Sequence, residues 1–241
     1  MNGRDPRPPG AQPEHIHGGH GDVAGPPAGF AELLACYAPF RAPDLVPEIE
    51  VAFGRSLIEV WEAAEILAGR VLPSPFWAYP WAAGVALARV LLDNATLVRD
   101  QRVLDFGCGG GIASLAAARA GAAAVTANDI DPWALETVRL SALHNRLHVD
   151  LLLADLTTDT ERLHDFDVVL CGDLAYEKEF APLQRAFLTR ARDLGKRVIV
   201  ADAGRTYFTP RGMQQIAEYC IAVPRDLEGV DERIATVWLF E

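Results

Sequence analysis

Positive charge is scarce in this 241-residue chain: 22 Lys and Arg stand against 33 Asp and Glu, giving a formal net charge of −11 and an isoelectric point near 5.0. Binding to nucleic acid and to anionic membrane surfaces both draw on clustered cations, so neither is expected. Long hydrophobic runs are missing too. No stretch approaches the eighteen or more apolar residues of a membrane-spanning helix, and the N-terminus has no apolar signal core; the expectation is a soluble, cytoplasmic protein and a monomer. Cysteine is sparse. Cys36, Cys108, Cys171 and Cys220 are far apart and never form C-x-x-C, which argues against a zinc knuckle or a disulfide framework and leaves reduced thiols. His15, His17 and His20 lie among glycines without Cys or carboxylate partners at ligand spacing, so no functional metal site is expected. With no internal repeat and 50% hydrophobic residues, the length suits one main core.

The most informative segment is Arg-Val-Leu-Asp-Phe-Gly-Cys-Gly-Gly-Gly at 102–111. Val103 and Leu104 read as a buried strand, and Gly107, Gly109 and Gly111 allow close backbone approach to a ligand as the chain turns into a helix starting near Ile112. A dinucleotide fingerprint would need glycine at 112, where Ile112 stands, so packing around a pyrophosphate is not provided. Asp105 likewise opposes a phosphate and suits a ligand with positive charge. The bland alternative is a strand-to-helix turn that uses its glycines for geometry alone.

A second strand at 122–128 ends at Asp129, roughly twenty residues beyond the glycines, where an acid in an α/β sheet accepts ribose hydroxyls. Asp131-Pro132 then opens a helix to about Asn145, with Asp131 as its cap. A third strand, 149–153, leads to Ala154-Asp155. Trp133 is either a stacking ring or ordinary packing. Further strands are expected at 167–172, 197–201, 219–223 and 234–240, with helices at 82–93, 178–193 and 209–218. This alternation implies an α/β fold with a doubly wound, seven-stranded, mostly parallel sheet and a terminal antiparallel hairpin. Residues 1–29 read as a disordered Gly/Pro-rich tail, 30–75 as an N-terminal helical cap and 76–241 as the main domain. Within the cap, Ile58, Trp61, Ala64, Ile66 and Leu67 are expected on one face, with Asp44, Glu48, Glu50, Glu59, Glu62 and Glu65 toward solvent.

The D-x-G-x-G-x-G loop resembles the cofactor loop of S-adenosylmethionine-dependent, seven-strand methyltransferases. That resemblance implies S-adenosyl-L-methionine as cofactor, with Asp105, Gly107, Cys108 and Gly109 lining its methionine end, Asp129 its ribose and Asp155 its adenine. Trp81, twenty-six residues before Gly107, resembles the tryptophan that covers the cofactor in protein-lysine methyltransferases of this fold. Trp77 is read as structural or substrate-facing. Where methyltransferases of planar nitrogens carry Asn-Pro-Pro-Tyr, this chain has Gly172-Asp-Leu-Ala-Tyr176. A carboxylate suits a cationic acceptor, which points to lysine, with Asp173 binding and orienting the amine and Tyr176 at the pocket edge.

The set Pro75-Phe-Trp-Ala-Tyr-Pro-Trp81, Asn128-Asp-Ile-Asp-Pro132, Gly172-Asp-Leu-Ala-Tyr176, Asp202-Ala-Gly-Arg205 and Ala235-Thr-Val-Trp238 resembles the family of lysine methyltransferases acting on the electron transfer flavoprotein β-subunit, over about residues 45–241. It implies that flavoprotein subunit as the protein substrate. Alternatives are a methyltransferase of another protein, such as a ribosomal protein, a nucleotide-binding oxidoreductase, which Asp105 and Ile112 oppose, and a non-catalytic adenosyl-binding protein.

Overall fold

A computed structural model describes residues 24–241. Helix α1 (Phe30–Tyr37), a two-residue hairpin of β1 (Phe40–Arg41) and β2 (Val51–Ala52), and helices α2 (Leu57–Ala68) and α3 (Ala82–Asp93) precede the alternating part. There β3 (Arg102–Phe106), α4 (Ile112–Arg119), β4 (Ala124–Asp129), α5 (Pro132–Asn145), β5 (Asp150–Leu153), β6 (Val168–Gly172), α6 (Phe180–Asp193) and β7 (Arg197–Asp202) follow one another. The chain closes with β8 (Gln214–Ala222), the one-turn α7 (Arg225–Glu228) and β9 (Glu232–Phe240).

The sheet order is β5-β4-β3-β6-β7-β9-β8, with β9 antiparallel to both neighbours and the other pairings parallel. This is the doubly wound sheet with a terminal hairpin that the alternation implied. Strands β3, β6 and β7 are apolar almost throughout because helices cover both faces, as parallel strands require. Leu87 and Leu91 of α3 lie in the core on one face; Phe187 and Leu188 of α6 fill the other. The chain leaves β3 toward β4 and β5, then crosses to β6 on the opposite side. The switch opens a crevice at the carboxyl ends of β3 and β6.

The local signals at α5 act as expected: Asp131 Oδ1 accepts the Trp133 N–H at 2.9 Å, and Pro132 occupies the first turn. Trp133 packs rather than stacks on a ligand, edge-on to Phe30 at 5.1 Å and beside Trp77 at 6.0 Å. These rings join α1, α2 and the start of α5 into one cluster.

Two expectations are corrected. Residues 209–218 are not a helix: the chain turns around Pro210 and Gly212, and β8 starts at Gln214, because ladder pairing with β9 outweighs local propensity. In α2 the buried face is Val60 and Ala64, flanked by partly buried Trp61 and Leu67, while Ile58 and Ile66 are 69% and 83% exposed. The helical phase was misplaced because isoleucines on the outer face mimic a core stripe. Glu48 and Glu65 are also engaged, Glu48 with Arg89 and Glu65 Oε1 with the Leu72 N–H.

The corrected phase predicts that Val60→Ala costs about 2 kcal/mol through lost methyl groups and a residual cavity. Ile66→Ala should change stability by less than about 0.5 kcal/mol. Urea unfolding of the two variants checks the difference; equal losses would return Ile66 to the core.

Candidate active site

At the crevice, Gly107, Gly109 and Gly111 all take left-handed backbone, with φ of 68°, 51° and 80°. A Cβ at 107 would come within 2.4 Å of Leu174, at 110 within 2.7 Å of the Trp77 carbonyl, and at 111 within 2.6 Å of Val138. At Gly109 it would meet nothing within 4 Å. The loop is therefore clamped by its neighbours on three sides and faces open space only at Gly109. Cys108 donates its N–H to the Asn128 carbonyl at 2.9 Å, and burial beside Asp129 and Asp105 raises its thiol pKa, so the group stays neutral.

Three acids surround that loop. Asp105 is buried, and its Oδ2 accepts the Ser114 hydroxyl at 2.5 Å. Burial lifts its pKa to about 6, with the charge of Asp129 adding to the rise. Asp129 Oδ2 accepts the Gly109 N–H at 2.9 Å and Oδ1 the Asp131 N–H at 3.0 Å, and burial raises this carboxyl as well. Asp131, chiefly through burial and then through Asp129, rises to about 7. Acids crowded in a poorly solvated crevice favour a cation as their ligand. Each oxygen of Asp129 keeps acceptor capacity beyond its backbone bond.

The opposite wall is held by Asp173, which follows β6 with a left-handed φ of 53°, uncommon for a non-glycine residue. Its Oδ2 accepts the Ala83 N–H at 3.0 Å, in the first turn of α3, and thereby caps a helix whose own cap residue, Trp81, offers no side-chain acceptor. Its Oδ1 accepts Arg205 Nε at 2.8 Å and the Ala203 N–H at 3.3 Å. Trp81 Nε1 donates to the Phe76 carbonyl at 2.8 Å, and the Arg205 guanidinium lies 5.6 Å from the Trp81 ring centre. Tyr176 is 41% exposed, its ring 5.4 Å from Phe76. Although the ring edge is exposed, desolvation of the hydroxyl, with the charges of Glu177 and Asp129, raises its pKa, so the phenol remains a neutral donor.

Asp105, Gly107, Cys108, Gly109 and Asp129 thus gather around the mouth of β3 and β4, and Trp81, Asp173 and Tyr176 form a second group beyond β6. Asp155 lies in the turn after β5, next to Ala154, whose N–H bonds the Asp129 carbonyl at 3.2 Å, and its Oδ1 accepts the Thr157 N–H and hydroxyl at 2.9 and 2.6 Å. Asn128 was not singled out from sequence: its amide spans the Leu152 and Ala154 carbonyls at 2.9 and 2.8 Å and locks the end of β5. Arg205 and Glu228 were also missed as interacting residues. Arg205 was quoted only within a motif, and nothing in the spacing of Glu228 marks it. Among the described residues no group of three or more His, Cys, Asp and Glu could hold a metal ion, and no helix is long and apolar enough to cross a membrane; His15, His17, His20 and most of the expected tail lie outside those residues.

An open doubly wound sheet with one reversed strand, a glycine loop after β3 and an acid at the end of β4 define a Rossmann-like, S-adenosylmethionine-dependent methyltransferase. Residues 86–181 match the family model of ribosomal protein L11 methyltransferase (PrmA). The electron transfer flavoprotein beta subunit lysine methyltransferase of Xenopus laevis is 36% identical over 210 residues, covering 82% of this chain and 81% of that protein. The human protein of the same name is 32% identical over 207 residues, covering 82% and 76%. A solved structure from Pyrococcus horikoshii that carries the name of an RNA methyltransferase superposes with a TM-score of 0.53 at 16% identity, covering 70% of this chain and 89% of that one, a likeness of fold. The chain belongs to the electron transfer flavoprotein beta subunit lysine methyltransferase family.

The raised acids make a signed prediction. Asp105 near 6 has an unfolded value near 3.8, so between these pH values the folded chain holds a proton that the unfolded chain releases. The stability cost is absent below about pH 4, grows as pH rises and is complete above about 6. Relative to wild type without cofactor, Asp105→Asn should therefore gain stability at pH 8 and lose that advantage at pH 4. Thermal unfolding at both values measures it, and a difference independent of pH would contradict a raised carboxyl.

Proposed function

We propose that this protein transfers methyl groups from S-adenosylmethionine to lysine side chains of the electron transfer flavoprotein β-subunit, with the acceptor entering beside Asp173 and Tyr176. The observation that carries this reading is the pairing of a charge-complementary cofactor crevice with an adjoining carboxylate that keeps one unused acceptor position. The cofactor fits the residues present: Gly109 fronts the open space, Asp105 lies beneath it with an uncompensated buried carboxyl, and Asp129 has acceptor capacity for ribose. Gly107 and Cys108 supply backbone around the same opening. Trp81 would cover the cofactor, and Asp155 would meet its adenine. When bound, S-adenosylmethionine supplies a methyl group made electrophilic by a sulfonium.

The remaining work falls to the chain. A free lysine amine titrates near 10.4, so presenting it neutral at pH 7 costs about 4 to 5 kcal/mol unless the site lowers that value. Asp173 has about four lone-pair positions and uses three on Ala83, Ala203 and Arg205, leaving one on Oδ2 for an N–H of the acceptor. It orients the amine so that its remaining lone pair faces the methyl group. The proton that the amine gives up would pass to water. The Tyr176 ring, beside Phe76, forms the apolar side of the entrance for the lysine stem. Residues 30–75 would form a layer over the start of α5, beside the crevice.

The flavoprotein is the favoured substrate because the relatives bearing its name align over about four fifths of this chain. A second reading, a ribosomal-protein methyltransferase, has a specific basis: an L11 methyltransferase of Burkholderia mallei is 41% identical, although over 80 residues and 33% of this chain. Incubation of purified flavoprotein β-subunit and L11 with methyl-labelled cofactor, followed by peptide mass spectrometry, distinguishes them. Label is expected on lysines of the former, and label confined to L11 would reverse the assignment.

Cofactor and acceptor functions should separate by mutation. Gly109→Val forces a branched side chain into left-handed backbone and into the open space, and should abolish S-adenosylhomocysteine binding measured by calorimetry. Tyr176→Ala should retain that binding and lose on the order of tenfold in kcat/KM toward the protein substrate. Loss of cofactor binding in the tyrosine variant would move Tyr176 into the cofactor crevice.

A further inference from the structure

Asp202-Ala-Gly-Arg205 stands out in the sequence, yet the chemistry proposed above gives it no task. Its loop is tightly built: Asp202 Oδ1 accepts the N–H groups of Gly204 and Arg205 at 2.7 and 2.8 Å, which turns the chain back over the sheet. Arg205 then reaches inward, its side chain 16% exposed, to two carboxylates that are more buried still. Nε bonds Asp173 Oδ1 at 2.8 Å, while Nη1 and Nη2 grip both oxygens of Glu228 at 3.1 and 3.2 Å. Arg233 Nε bonds the same Glu228 at 3.1 Å from β9. The result is a chain of alternating charge, Asp173, Arg205, Glu228, Arg233, running from the acceptor site to the terminal hairpin.

We infer that Arg205 is a positioning residue for methyl transfer: it aims Asp173 and compensates its charge, so that the acceptor amine meets an oriented lone pair in place of a bare anion. This inference rests on the acceptor site proposed above. An isolated buried carboxylate would attract a lysine ammonium strongly and hold its proton, improving ground-state binding while opposing the step that needs a neutral amine. With the guanidinium 2.8 Å from Oδ1, that attraction is offset, and Oδ2, which accepts the Ala83 N–H, keeps one further lone pair to direct an N–H of the acceptor. The planar fork matters as well as the charge. One guanidinium engages Asp173 through Nε and Glu228 through both terminal nitrogens while sitting 5.6 Å from the Trp81 ring centre, a geometry that a lysine ammonium cannot reproduce. Asp202 lies close by, with Oδ2 buried and unpartnered and its carboxyl raised to about 6 by burial and by Asp173. The neighbourhood therefore has no surplus of positive charge to replace Arg205.

A residue that serves stability alone would raise KM, weaken cofactor binding and lower kcat together. A positioning role separates them. Arg205→Met keeps the stem and removes the charge, and should lower kcat toward the flavoprotein β-subunit by about thirtyfold while KM stays level or falls and S-adenosylhomocysteine affinity stays within about threefold. Arg205→Lys restores charge without the fork and should recover part of kcat, by at least about fivefold over the Met variant. Equal kcat in the Lys and Met variants, or a rise in KM with loss of cofactor binding, overturns the inference. Should Arg205→Met not fold, Glu228→Gln carries the test: it loosens the outer grip on Arg205 and should lower kcat by about threefold or more at unchanged KM, and wild-type kcat refutes the role. Tyr176→Ala is measured in parallel. If it retains full kcat/KM, the acceptor site itself is misassigned and the role of Arg205 falls with it; if it is impaired while the Arg205 and Glu228 variants are not, only the positioning role fails.

Discussion

The mouth of the site depends on one buried contact, Arg205 Nε on Asp173 Oδ1 at 2.8 Å. Through the same carboxylate, the loop after β6 is tied to the first turn of α3 and to the loop after β7. Three segments far apart in the chain therefore share one anchor. Buried ion pairs contribute little net stability, because desolvation offsets attraction, but breaking one by removing a partner costs about 3 to 5 kcal/mol. What such an arrangement secures is geometry. The left-handed backbone at Asp173 is consistent with this, since an uncommon conformation persists only where surrounding contacts over-determine it.

The crevice proposed for the cofactor is organised by the opposite principle. There, among the described residues, no cationic side chain hydrogen-bonds the acids: Asp105 is held by a serine hydroxyl, and Asp129 and Asp131 by backbone N–H groups, with the charge of Arg70 only partly offsetting the burial of Asp131. Their raised pKa values record charge that burial penalises and that a cationic ligand would relieve. The two halves of the site thus differ in electrostatic state. One is compensated within the chain; the other is completed by its ligand. A methyl donor that enters as a cation and leaves as a neutral thioether suits the second kind of site, because its affinity falls once the reaction is done.

The residues that match the L11 methyltransferase family model cross this division. They run over 86–181, through the glycine loop, β4, β5 and β6 and on past Asp173 and Tyr176. Arg205, Glu228 and Arg233, which carry the charge chain outward from Asp173, lie beyond that range in the turn after β7, in α7 and in β9.

Much of this protein was legible in its sequence because the signals involved are local. Alternating apolar strands and helices gave the doubly wound sheet, the D-x-G-x-G-x-G loop gave the left-handed glycine turn after β3, and Asp131-Pro132 gave the start of α5, each from residues within one or two turns of one another. The misread segments were those where local pattern competes with distant partners. Residues 209–218 read as a helix from local pattern, but they turn at Pro210 and Gly212 and 214–218 become strand because β9 lies alongside, and the isoleucines of α2 face outward because the rings of Phe30, Trp77 and Trp133 fill the space on its other side. The partners of Asp173 were not legible either. A carboxylate in a loop carries no mark of which donors will surround it, and Ala83 comes from α3 while Ala203 and Arg205 come from the turn after β7. Sequence alone determined which chemical groups are available and the sheet that carries them; the tertiary structure decided which charges neutralise one another, since that depends on separations of about 3 Å between residues tens of positions apart.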